Sequence, residues 1–572
     1  MKKDKFSGLC PEPRELLKKL DQNFAVWWLG SKERVKGLRP LRGFGGGAPK
    51  VLLFMFLALF FVIAMPLTVH ARIGDMGFFG GISQGRRLPH TTETIIFQQG
   101  NGRNTRATTL DVNYQELVFL LGRPLQFDGV MTITNNAPAH IANSATLYNA
   151  PANLPRSGVF TKRFLVQPTD GTAEDIRIDR NMNFNVEFRV AGNNVIYTYR
   201  IVRASWRETI TTPDGDFVLD NMRSHFGASV IEDRTPGVNY YRGNVWARLY
   251  FIGPDDVLVI VEQEGEFHGF YSAWAATETH RTNVSIWHGD TWALNYQIRP
   301  SVTVNNVMRW AQNEPTAISF AGNFQEVMQT FAGLRYDIFH PVPHFMWDEP
   351  LTGASSLHHP NSFEQLPAAN LDFLRGNAAE DDIHRLFAME VLTGPPTNFV
   401  PGQAITRGQF MTALARAIRL PTADPPRVTR NREPEPLFTD VTVHRPEFRY
   451  IEAVVREGVA QGRADGSFHF DYGITRQEAF VTIVRALGLE TMGMYPTVAS
   501  PFADSDAIAR WAIREVNVAY TLGIIAPDEN GNIRPADSMS KGEAARLLNR
   551  LIDYMRTGLA NDYADQIVNI AR

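Results

Sequence analysis

AITRGQ at 404–409, GITRQE at 473–478 and SMSKGE at 538–543 are three renderings of one hexapeptide, and their recurrence decides the architecture of the last third of the chain. The basic residues Arg407, Arg476 and Lys541 are spaced by 69 and 65 residues. Six positions ahead of each central Ile or Met stands an apolar residue, Phe399, Phe468 or Ile533. Upstream of that residue lies a loop, at 393–398, 461–467 and 526–532, with Asp465-Gly466 and Asn530-Gly531 as turn pairs. Each loop follows a segment with apolar residues at i, i+3 and i+4: Ile383, Leu386 and Phe387; Ile451, Val454 and Val455; Val516, Ala519 and Tyr520. A second such pattern follows each hexapeptide, as in Met411, Leu414 and Ala415 or Phe480, Ile483 and Val484. The unit is helix, loop, helix, and it occurs three times, so the copies must bury their apolar faces against one another.

Thr475 and Glu478 have the spacing of a capping box, Ser540 and Glu543 repeat it, and Thr406 with Gln409 is its amide form. Capping accounts for the hydroxyl and the acid but not for the cation between them. A positive charge at the first helical position opposes the helix dipole, typically costing about 0.3–1 kcal/mol. Three copies of that choice point to a compensating anion, because helix N-terminal amides beside an Arg or Lys form a carboxylate or phosphate site. The alternative is incidental surface charge.

These residues resemble the S-layer homology family. The third copy reads Phe502-Ala503-Asp504, Trp511-Ala512 and Gly523-Ile524. The second reads Phe438-Thr439-Asp440, Gly458-Val459, Gly462, Asp465-Gly466-Ser467-Phe468 and Ile474-Thr475-Arg476-Gln477-Glu478. The resemblance covers 378–556, about a third of the chain. It implies an α-helical pseudo-trimer of three repeats that binds a secondary cell-wall polysaccharide without covalent attachment, commonly a pyruvylated one. It also implies polysaccharide-binding roles for Arg407, Arg476, Lys541, Asp440, Asp504, Trp511, Gly462 and Gly466. The ketal carboxylate of such a polymer would be the anion sought above.

The copies are unequal. The first has Ala378 where the third has Trp511, lacks the Phe-x-Asp start, and carries Pro395-Pro396 in its loop. Pro446 holds the tryptophan position in the second copy, with Phe448 nearby. Lys541 in place of Arg loses bidentate geometry, so the third cation is expected to bind most weakly. Asp440 and Asp504 are equally readable as helix N-caps. One or two competent clefts are expected rather than three.

Ahead of the repeats, from about 72 to 345, the period is two. Phe184, Val186 and Phe188 alternate with Asn183, Asn185, Glu187 and Arg189; Gly192-Asn193-Asn194 offers a turn; and 195–202 reads as the returning strand. The pattern recurs on either side of 253–256 and 288–290. An antiparallel all-β domain, sandwich-like or barrel-like, is expected. It is chemically quiet: no nucleophile elbow, Walker loop or paired-carboxylate motif is present, so no catalytic residue is assigned and no cofactor is implied. His340, His344, Asp348 and Glu349 have metal-capable side chains, but Pro341 and Pro343 bar the helical geometry that would align the histidines, so no metal site is assigned.

The 572 residues are 44% hydrophobic and 20% charged, a composition that excludes wholesale disorder. The net charge of -3 argues against nucleic acid as a partner. Residues 1–50 hold 12 Lys and Arg against 5 Asp and Glu, leaving 45 against 55 for the rest. Between the two regimes lies VLLFMFLALFFVIAMPLTV (51–69), 19 residues without an ionisable group. As a helix this stretch would reach about 28 Å, close to the ~30 Å of a hydrocarbon core. It predicts an N-terminal transmembrane helix with a cytoplasmic basic arm and an exported C-terminal side; a signal-peptide core cleaved after Ala71 is the alternative. Cys10, the single cysteine, lies in the arm, so no disulfide is available outside. The expected layout is an arm at 1–50, a membrane segment at 51–71, a β-rich domain at 72–345, a linker at 346–377, and repeats at 378–425, 436–490 and 500–556. The expected function is a cell-envelope protein, membrane-anchored or secreted, attached through its repeats and displaying the β domain. A wall- or glycan-processing enzyme, or an adhesin, on the same anchor is the alternative.

Overall fold

A computed structural model describes residues 79–83, 108–138, 140–141, 154–169, 176–311, 322–340, 351–367, 369–422, 435–490 and 500–563. All belong to one unit, Thr68–Arg572. The transmembrane helix expected at 51–69 requires correction. Among the described residues no helix is long and apolar enough to cross a membrane, and the segment that prompted the expectation lies outside them. Hydropathy measures how apolar a stretch is, not whether it forms a helix. Pro341, Pro343, His344, Asp348 and Glu349 also lie outside the described residues, whereas His340 ends a described strand.

Sixteen strands among the described residues form one antiparallel sheet. The first eight are β1 (Ile82–Ser83), β2 (Thr108–Val118), β3 (Leu125–Asn135), β4 (Ser157–Pro168), β5 (Arg177–Ala191), β6 (Asn194–Ile201), β7 (Arg207–Thr212) and β8 (Gly215–Leu219). They continue with β9 (His225–Arg234), β10 (Val238–Ile252), β11 (Leu258–Ser272), β12 (Ala275–His288), β13 (Trp292–Ala311), β14 (Asn323–His340), β15 (Thr352–Leu357) and β16 (Ser362–Gln365). Strands β1 to β6 pair in order, β6 joins β9, and pairing runs in order to β15. The hairpin β7–β8 sits against β5 and β10, and β16 pairs with β14. The alternating residues behave as their period dictates: Phe184, Val186 and Phe188 are buried while Asn185, Glu187 and Arg189 face outward or lie at the boundary. The three expected hairpins are present, closing at Ala191↔Asn194, Ile252↔Leu258 and His288↔Trp292.

Of the two expected arrangements, a sandwich of two separate sheets is excluded, because hydrogen bonding is continuous from β1 to β15. Long strands coil, and this sheet folds over its own inner face. The Phe119 ring, just after β2, stacks on Tyr296 of β13 at 4.1 Å and meets Tyr336 of β14 edge-on at 5.3 Å. Ser355 of β15 donates to Gln115 of β2 at 2.8 Å. Charges inside the fold are paired: Arg180 forks onto Glu116 and also reaches Glu208 at 2.7 Å, and Arg234 pairs with Glu232 at 2.9 Å.

Among the described residues six α-helices carry the repeats: α1 (Glu380–Ala388), α2 (Arg407–Ala417), α3 (Phe448–Arg456), α4 (Arg476–Leu487), α5 (Ile513–Thr521) and α6 (Lys541–Asp553). The hexapeptides meet at the pseudo-threefold axis. The Ile405 amide donates to the Met539 carbonyl, Met539 to Ile474 and Ile474 to Ile405, at 2.9, 3.0 and 3.2 Å. This closed ring leaves no repeat with an unpaired edge. Ile383, Leu386, Ile451, Val454, Val516 and Ala519, expected from periodicity, are all fully buried.

The sheet packs on the C-terminal ends of α2 and α4. The Trp274 indole donates to the Ala417 carbonyl at 2.7 Å, the Gly237 amide to Ala486 at 2.7 Å, and the Tyr240 hydroxyl to Leu487 at 3.2 Å. Beyond α6 the chain runs through a π-helical turn (Tyr554–Gly558) to Tyr563, whose hydroxyl donates to the Tyr241 carbonyl at 3.0 Å. Helix C-termini present carbonyls without intrahelical partners, and the sheet supplies donors to them. Arg419, following α2, forks onto Glu326 of β14 at 2.9 and 2.7 Å, with its guanidinium 4.2 Å from the Trp274 ring centre. Val238, Tyr240, Phe270 and Trp274 share one apolar cluster with the helices, so sheet and repeats have a continuous core.

Candidate functional site

The opposite ends of α2, α4 and α6 frame three grooves between repeats. Each N-terminus is closed by the capping box read from the sequence: Thr406 with Gln409, Thr475 with Glu478, and Ser540 with Glu543, all reciprocal. The next two amides are also taken. Arg407 and Gly408 donate to the carbonyls of Tyr472 and Phe470, Arg476 and Gln477 to Asp537 and Pro535, and Lys541 and Gly542 to Gln403 and Pro401. The helix ends therefore hold the next repeat rather than offering free amides to an anion. A sequence reveals a helix start but not the backbone that docks on it.

Any anion site here is built from side chains. Arg407 points into the groove toward the second repeat, donating to the Gln461 carbonyl at 2.9 Å and pairing with Glu478 at 3.4 Å, with its guanidinium 5.0 Å from the Phe468 ring centre. Arg476 does the same one groove on, donating to the Ile533 carbonyl at 2.7 Å and to Glu543 at 2.7 Å. Burial pulls both guanidiniums below their ordinary value while the partner carboxylates oppose the shift. Each glutamate receives a second arginine from its own repeat: Arg463 on Glu478 at 2.9 Å and Arg534 on Glu543 at 3.2 Å. Arg463 and Arg534 are about half exposed (48% and 51%), whereas Arg407 and Arg476 are largely covered. Sequence reasoning missed these two arginines because they occupy different positions in their repeats. Lys541 lies in the third groove, its ammonium on the Gln403 amide oxygen at 2.7 Å and 5.7 Å from the Phe399 ring centre.

Asp440 and Asp504 bind loops rather than cap helices. Asp440 accepts from the amides of Phe468 and Phe470 at 2.7 and 2.8 Å, and Asp504 from those of Ile533 and Arg534 at 3.0 and 2.7 Å. Partial burial alone would raise Asp440, but the two amides outweigh it and hold the carboxyl below its ordinary value. Gly462 lies against Phe438, where a Cβ would enter the ring, and Gly466 turns its loop at φ +80°. Trp511 stands half exposed (52%) ahead of α5, and two residues before it the Ala509 amide donates to the Gln477 side-chain oxygen at 3.0 Å. The structure thus gathers Arg407, Asp440 and Gly462 around the first groove and Arg476 and Asp504 around the second. Lys541 stands apart from both.

The S-layer homology domain pattern matches this chain at 375–411, 437–480 and 501–545. Among known proteins, an endoglucanase of Bacillus sp. (strain KSM-635) is 26% identical over 172 residues, covering 30% of this chain and 17% of that enzyme. The surface-layer 125 kDa protein of Lysinibacillus sphaericus is 27% identical over 179 residues, 31% of this chain and 14% of the relative. An S-layer protein of Bacillus licheniformis is 27% identical over 188 residues, 33% and 19% of the respective lengths. The chain therefore spans less than a fifth of these relatives.

Proposed function

We propose that this chain, a cell-surface protein held at the envelope by three S-layer homology repeats, attaches to an acidic secondary cell-wall polysaccharide through the inter-repeat grooves, with a pyruvylated polymer as the expected partner. The observation that carries the reading is the placement of all three motif cations in grooves between consecutive repeats, at one end of the module. The β domain occupies the other end, about 16 Å away along an 11-residue helix. Polymer held in the grooves leaves the sheet facing away from the wall, on a shared core rather than a flexible tether. This end-to-end arrangement supports a role in which the repeats attach and the sheet is displayed.

The test is co-sedimentation of the full chain with purified wall sacculi, before and after mild-acid removal of the polymer's acidic substituents. Retention of the wild type, lost on stripping and lost in an Arg407→Ala/Arg476→Ala/Lys541→Ala triple variant, is the expected result. Equal pelleting of wild type and triple variant would refute attachment through these cations.

A further inference from the structure

Residues 79–83 lie inside the coiled sheet. Phe79 is half-buried and 80–83 are buried. β1 pairs with β2 through Ile82↔Gln115 and Ser83↔Tyr114, and it also touches β13 and β14. The pairing is antiparallel, so Phe79 lies toward the end of β2 at Val118. Its ring is 4.2 Å from the Arg180 guanidinium of β5 and 5.8 Å from the Phe226 ring of β9. Five residues, Phe-Gly-Gly-Ile-Ser, thus bridge strands on several sides of the interior.

The fit depends on the two glycines. Gly80 holds φ +87° with Ile298 where its Cβ would lie, and a Cβ on Gly81 would enter the Tyr114 ring. Tyr114 has no free path aside, because it is buried and its hydroxyl donates to Glu116 at 2.6 Å. The slot is shaped for this sequence, yet it holds the sequence weakly. Among the described residues only two join the ladder. Phe79 covers Arg180 with an aromatic face, and the buried Arg180 Nε and Glu208 Oε2 have no hydrogen-bond partner among the described residues. The 24 residues from 84 to 107 separate β1 from β2 in the chain. Their extended reach is about 80 Å, more than the roughly 66 Å of the 20-residue β13.

We infer that this slot also accepts residues 79–83 of a second copy, so that two chains exchange their β1 segments. The exchanged segment repeats the Ile82↔Gln115 and Ser83↔Tyr114 pairing between chains, a strand donated to complete a neighbour's sheet. Three observations select the occupant. The slot has no room for a side chain at two of its five positions, which excludes most peptides. Every copy carries the sequence that fits. The stretch between β1 and β2 is long enough to serve a neighbouring sheet. Exchange needs no wall polymer, so it stands or falls apart from the attachment reading.

The experiment uses full chains and a synthetic peptide of residues 77–85. Gly81→Val should expel the chain's own segment and open the slot, so this variant should bind the peptide and gain thermal midpoint from it. Overpacking of that kind corresponds to about tenfold or more in a dissociation constant, so the same peptide with Gly81→Val should bind at least about tenfold more weakly. Two differently tagged wild-type chains, incubated together at high concentration, should co-purify, and Gly81→Val in both should abolish the association. A folded Gly81→Val chain that binds the two peptides equally, or neither, overturns the exchangeable slot. If Gly81→Val does not fold, Phe79→Ala takes its place, because it removes the contacts with Arg180 and Phe226 without adding volume, and the same peptide comparison decides. Peptide binding without co-purification of wild-type chains, or co-purification that survives Gly81→Val in both, overturns the second copy as occupant.

Discussion

Replacing Glu326 by Ala tests whether the sheet and the repeats are one cooperative body. Glu326 is fully buried on β14, and the Arg419 side chain that forks onto it is only 5% exposed. An exposed ion pair would contribute about 0–1 kcal/mol. Removing one partner of a buried pair costs roughly 3–5 kcal/mol, because the remaining charge stays desolvated. Stacking of the Arg419 guanidinium on Trp274 holds it in place after truncation, and part of the charge can relax toward water, so the lower end, about 3 kcal/mol, is expected. Against a typical total of about 5–15 kcal/mol this is a large fraction. The assay is urea unfolding followed in parallel by far-ultraviolet circular dichroism for the helices and tryptophan fluorescence for the sheet. Wild type should lose both signals in one coincident transition, and Glu326→Ala should separate them, with Glu326→Gln intermediate. A coincident transition weakened by less than about 1 kcal/mol would show that the pair is solvated and that the shared core does not depend on it.

Three further outcomes follow from single positions. Glu390 holds φ +55° where the second and third repeats place Gly458 and Gly523, so Glu390→Gly should relieve about 1–2 kcal/mol of left-handed strain against about 0.5–1 kcal/mol of added unfolded-state entropy. A lower thermal midpoint for that variant would sink the argument. Gly462→Ala drives a Cβ into the Phe438 ring and should destabilise by about 1–3 kcal/mol in denaturant titration; wild-type stability would mean that the ring moves freely. The folded Asp440 carboxyl titrates below its ordinary value, so its contribution to stability is complete above the normal carboxylate range and is lost as pH falls through the depressed folded value. Urea midpoints measured from about pH 5 downward should therefore fall less steeply for Asp440→Asn than for wild type; parallel slopes would refute the assignment.

The repeats were legible because their determinants are local. Capping boxes depend on residues three apart, apolar stripes on positions three and four apart, and Gly466 and Gly531 adopt the positive φ that their turns require. The strands were legible for the same reason, since alternation is a property of consecutive residues. Whether neighbouring strands belong to one sheet or two is not local, which is why alternation left a sandwich and a barrel-like arrangement both open. β15 and β16 likewise extend the sheet into 352–365, a stretch that looked like linker because its alternation is short and its histidines and proline suggest a connector.

At the grooves, the identity of the cations came from alignment, but their electrostatic state did not. That Arg407 and Arg476 are paired while Lys541 faces an amide depends on which repeat follows which around the axis, as does the recruitment of Arg463 and Arg534 from unequal loop positions. Sequence alone determined the helices, their caps, the alternating strands and the threefold unit, all set by short-range sterics and hydrogen bonding. Only the tertiary structure decided the ring closure, the seating of the sheet on the helix C-termini and the charge left in each groove. These depend on contacts between segments distant in the chain, whose energies no local pattern encodes.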